Sequence, residues 1–126
     1  MRFAQRVFLI AGLYGLLLMP PMYFMERQIG IDHEPPITHP EFYYGFLGVV
    51  LAFQVAFLII ASDPRSYRPL MIPAMIEKFS FVLALVGIYA AGRGEEVMST
   101  MPIAGAIDGV LGVLFIVAWV KTRERD

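Results

Sequence analysis

Four long apolar stretches alternate with short charged connections along the chain: Val7–Met25, Phe42–Ser62, Met71–Gly92 and Ile103–Val120. Only Glu77–Lys78 interrupts the third, and only Asp108 the fourth. A helix rises about 1.5 Å per residue, so about 20 apolar residues cover the ~30 Å hydrocarbon layer of a bilayer. Each stretch is close to that length. Phe46–Ala61 is apolar all the way round except for Gln54, whereas a soluble bundle helix keeps a polar stripe. Away from water, backbone N–H and C=O groups must be satisfied by helices or a closed barrel, and the strict alternation of barrel strands is absent. The pattern predicts an all-α integral membrane protein, an up-down-up-down four-helix bundle formed by residues 1–126 as one domain.

Composition agrees, with 58% hydrophobic and 17% charged residues, far from the balance of a soluble domain. A net charge of −1 provides no basic field for nucleic acid. The chain has no cysteine, which excludes thiolate chemistry, disulfides, thiol metal ligands and a c-type haem.

Charge placement predicts orientation. Arg2, Arg6, Arg65, Arg68, Lys121, Arg123 and Arg125 flank the spans on one side, against Arg27 and Arg93 on the other. A Lys and Arg excess marks the cytoplasmic face, so both termini are expected inside, in a multi-pass protein of the inner (plasma) membrane. The first span is expected to be retained, because Met19-Pro20-Pro21-Met22-Tyr23 offers no small-x-small cleavage site.

Local signals divide the spans. The first is expected to bend or end near Pro20-Pro21. Thr38-His39-Pro40-Glu41 reads as a capping box opening the second span. Small residues predict close helix approach at Gly12 and Gly15, at Gly45, Gly48 and Ala52, at Ser80, Ala84, Gly87 and Ala91, and at Gly105, Gly109 and Gly112.

Polar side chains inside the spans are the candidate chemistry, since ionisable groups there are costly and face an interior, a partner or a water-filled cavity. Glu77 lies roughly 9–12 Å into the third span, and depth places Gln54 and Tyr14 in the same layer. Asp108 belongs to a second layer, roughly 8–9 Å from the opposite face, near Tyr44 and Tyr89 as hydrogen-bond partners. Lys78 is able to snorkel towards the interface. Tyr14, Gln54, Glu77, Tyr44, Tyr89 and Asp108 are therefore the candidate ligand-binding residues. His33-Glu34 and His39-x-Glu41 match no metalloenzyme spacing, and no phosphate loop or nucleophile elbow occurs, so neither metal nor cofactor is expected.

Four short spans, a polar loop after the first, the D-P-x-x-Y-R-P turn at Asp63–Pro69 and an acid in the last span resemble small bacterial four-helix membrane proteins of the DoxX-like type. The resemblance covers the whole chain in layout and implies a fold and a location. A more distant likeness is to sterol-isomerase-type membrane proteins, which use intramembrane acids and histidine in a lipid cavity. Here both histidines lie in loops. The expected function is a non-enzymatic accessory subunit, or a binder of a lipid or quinone-like apolar ligand. Its expected partners are the lipid bilayer and another membrane protein or a small apolar molecule. The alternative is a membrane isomerase with Glu77 or Asp108 as acid–base.

Overall fold

The computed structural model describes residues 2–123. They form five α-helices: α1 (Arg2–Met22), α2 (Glu26–Asp32), α3 (Pro40–Ser62), α4 (Met71–Ala90) and α5 (Met101–Lys121). Single 3-10 turns at Arg68–Leu70 and Gly94–Glu96 join the later helices. No strand occurs among the described residues. All but α2 are long and apolar enough to cross a membrane.

The long helices pack as two antiparallel pairs. In the first, Gly12 and Gly15 of α1 leave room for Gln54 and Leu58 of α3. In the second, Phe79, Val82 and Leu85 of α4 lie against Gly112, Gly109 and Gly105 of α5, the register falling in one helix as it rises in the other. A Cβ at Gly112 would come within 2.8 Å of the Phe79 ring, so glycine permits this approach. The pairs join through α1 and α5, where the Phe8 and Phe115 rings stack 4.2 Å apart and Phe57 meets Phe115 edge-on at 5.1 Å. α3 and α4 touch only lightly.

The core is concentrated at the end that carries the chain termini. Ala4, Phe8, Ala11, Phe57, Ile60, Met71, Ala74, Phe115 and Ala118 are buried there. Beyond Gly15 no residue of α1 is buried, and beyond Lys78 none of α4. Towards the α2 end burial thins but does not vanish: Leu47 of α3 and Gly105 of α5 are buried there.

Each end is fastened by polar contacts. At the terminal end the Arg68 guanidinium lies 3.5 Å over the Trp119 ring and donates through Nε and Nη2 to the Trp119 carbonyl, at 3.2 and 3.0 Å. Asp63 accepts from the Ser66 hydroxyl (2.6 Å) and amide (3.3 Å), and these bonds hold its carboxyl below the usual carboxylate range. At the other end Tyr43 donates to the Met22 carbonyl (2.5 Å) and Tyr44 to the Glu26 carboxylate (2.7 Å), tying the start of α3 to the end of α1 and to α2. Arg93 makes a two-point ion pair with Glu96 (2.6 and 3.0 Å), which pulls the Glu96 carboxyl down and the Arg93 guanidinium up.

Several local expectations are corrected. The loop after the first span contains α2. Thr38 does not cap α3: Pro40 takes the first helical position, so the cap falls on His39 at φ 57° and Glu41 comes one residue too early to close a box. The small residues Ser80, Ala84, Gly87 and Ala91 are exposed, because α4 buries its Met71–Ala74–Lys78 face instead. On α3, Gly45 and Ala52 are exposed as well. Pro20 and Pro21 do mark the end of α1, which stops at Met22.

Candidate functional site

The two predicted layers are one. Lys78, only 5% exposed, extends its Nζ to within 3.3 Å of Asp108 Oδ1 and 3.5 Å of Glu77 Oε2. Helix register explains the meeting. Glu77 and Lys78 lie seven and eight residues into α4 and Asp108 eight residues into the antiparallel α5, and the four-carbon stem of Lys78 closes the remaining offset. Gly105, Gly109 and Gly112 flank Asp108 on its own helix and hold α5 close enough to α4 for the contact. The Phe57 ring of α3 approaches the same ammonium, with its centroid 5.3 Å from Nζ.

The two carboxyls are not equivalent. Asp108 accepts a hydrogen bond from Lys78, whereas Glu77 Oε2 is buried with no hydrogen-bond partner among the described residues, its ammonium neighbour standing 3.5 Å away. Three ionised groups here would leave one uncompensated negative charge in a region with no other charged side chain. A buried acceptor without a donor costs about 1–3 kcal/mol. Glu77 Oε2 therefore relies on the Lys78 ammonium at 3.5 Å, and a further donor would stabilise it.

The other sequence candidates are elsewhere. Gln54 is buried, but its amide donates to the Val50 carbonyl of its own helix at 2.9 Å and packs on Gly15. Tyr14 is 39% exposed, on the edge of the buried Ala4–Phe8–Ala11–Gly15 row, and makes no hydrogen bond. Neither shares a polar contact with Glu77. Tyr44 is engaged with Glu26, and Tyr89 is exposed with its ring over Gly94, so neither is the partner of Asp108. Lys78 is the residue that sequence reasoning did not place in the site. The available signal was charge balance: two acids in adjacent antiparallel spans need a cation, and Lys78 is the only one in either span away from its ends. His39 Nδ1 lies 3.5 Å from Glu41 on an exposed surface, and no group of three metal-ligating side chains gathers among the described residues.

The Glu77–Lys78–Asp108 cluster lies at the last buried residue of α4, beyond which burial thins towards the α2 end. Chemically it offers a buried ammonium, a carboxylate hydrogen-bonded to it, and a second carboxylate paired with it at 3.5 Å that accepts no hydrogen bond through Oε2 among the described residues. Comparison with protein-family models, with characterised proteins and with solved structures finds no match to this chain.

Proposed function

We propose that the chain is a four-span protein of the inner membrane, with both termini cytoplasmic, that binds the polar end of a lipid-like or quinol-like molecule within its bundle. Binding rather than turnover is the proposed activity, and the layout shared with DoxX-like proteins agrees with that location. One observation carries the reading: Glu77 Oε2 is buried beside Lys78, the last buried residue of α4, and accepts no hydrogen bond among the described residues. A ligand hydroxyl donating to Glu77 Oε2 would satisfy that oxygen, and an adjacent ligand oxygen is able to accept from the ammonium. Ligand pockets of this kind are mostly apolar with a few placed polar groups. The exposed apolar side chains of the upper half, such as Leu83 and Val86 of α4 and Val110 of α5, would accompany the ligand's apolar body or meet lipid.

The test is mass spectrometry of small molecules that copurify with the protein in native lipid nanodiscs. A hydroxyl-bearing apolar molecule is expected with the wild type. It should be lost from Glu77→Ala while circular dichroism still reports the same helix content. Retention undiminished in Glu77→Ala, or no enriched molecule in the wild type, rejects the site.

A further inference from the structure

A second site is suggested at the opposite end of the core, on separate residues. Arg2 and Arg6 are exposed on one face of α1, four residues apart. The same face continues through Ile10, Leu13 and Leu17, which are 63, 54 and 79% exposed. Lys121 at the end of α5 is also exposed and holds its Nζ 4.4 Å from the Phe3 ring, which brings it beside the first turns of α1, where Arg2 and Arg6 lie. Among the described residues none of these cations is in an ion pair, whereas Arg93 at the other end is paired with Glu96.

We infer that this corner binds an anionic phospholipid. The phosphate would lie among Arg2, Arg6 and Lys121, with an acyl chain along the Ile10–Leu13–Leu17 row. Charge complementarity selects the headgroup. The apolar continuation selects a lipid over a free anion, because a free phosphate would leave that row uncovered. The inference does not depend on the Glu77 site.

Repurification of the protein from vesicles containing equal amounts of phosphatidylglycerol and phosphatidylcholine, followed by quantification of retained lipid, tests it. The wild type should favour phosphatidylglycerol by roughly fivefold per engaged basic residue. The triple variant Arg2→Gln/Arg6→Gln/Lys121→Gln should fall towards parity, and Arg27→Gln/Arg93→Gln at the other end should not. Parity in the wild type, or undiminished preference in the triple variant, overturns the inference. If the triple variant fails to fold, the wild type alone decides. Raising salt from about 0.1 M to about 1 M shortens the screening length from about 10 Å to about 3 Å and should erase the preference. A preference that survives high salt rejects headgroup recognition by charge. Displacement of the lipid by inorganic phosphate alone would reassign the corner to a free anion.

Discussion

Removing the Lys78 ammonium leaves Glu77 and Asp108 facing each other with no counter-charge. Deleting one partner of a buried ion pair costs about 3–5 kcal/mol, so Lys78→Met is expected to lower stability by that order in thermal or chemical unfolding in detergent. A loss below about 1 kcal/mol would mean that the ammonium does not hold the two acids. Glu77 and Asp108 were legible in the sequence as costly polar groups, but their union was not. Depth counted along each helix separately gave two layers, because it ignored the reach of a lysine stem and the closeness that Gly109 and Gly112 permit. Gln54 shows the opposite failure. Depth put it near Glu77, yet a glutamine in a helix satisfies its amide with the carbonyl four residues back, as it does at Val50. Asp63 supplies a pH test. Its carboxyl is depressed by the Ser66 hydrogen bonds, so its contribution to the turn is fully present above the ordinary carboxylate range near pH ~4 and is lost as pH falls through the lower folded value. Hydrogen exchange at the Ser66 amide should accelerate, relative to neighbouring amides, only in that acidic window. Acceleration beginning near neutral pH would contradict the assignment.

Among the elements, the long helices were readable because apolar runs of span length leave the backbone little choice of structure. Their ends were less so. Pro40 moved the start of α3 past the threonine that composition marked as its cap. The short helix α2 has too few residues to show a period. Small residues marked possible contacts, but they do not say which of them the bundle uses. On α5 Gly105, Gly109 and Gly112 face α4, while Gly87 of α4 meets nothing within 4 Å. The contrast predicts that Gly112→Val overpacks the Phe79 contact and destabilises by about 1–3 kcal/mol. Gly87→Ala should not destabilise, and an alanine there is favoured in a helix interior. Paired melting curves in the same detergent distinguish the two. Equal losses would mean that α4 and α5 do not pack through the glycine face.

At the scale of the whole molecule, charge is divided between the two ends. Arg2, Arg6, Arg65, Arg68, Lys121 and Arg123 gather with Asp63 at the terminal end, while Glu26, Asp32, Glu34, Glu41, Glu95 and Glu96 gather with Arg27 and Arg93 at the other. Such an asymmetry orients a multi-span protein with its basic end inside. The proposed orientation would place the α2 end, beyond Glu77 and Lys78, on the outer side. Both proposed sites depend on four crossings in this orientation. The absence of native cysteine allows a direct test with single introduced thiols. Ser66→Cys lies in the turn between α3 and α4, and Ser99→Cys in the connection between α4 and α5. In intact cells a membrane-impermeant maleimide should label Ser99→Cys and leave Ser66→Cys unmodified until the membrane is opened. Labelling of both thiols from the same side, or of Ser66→Cys alone, would contradict the account.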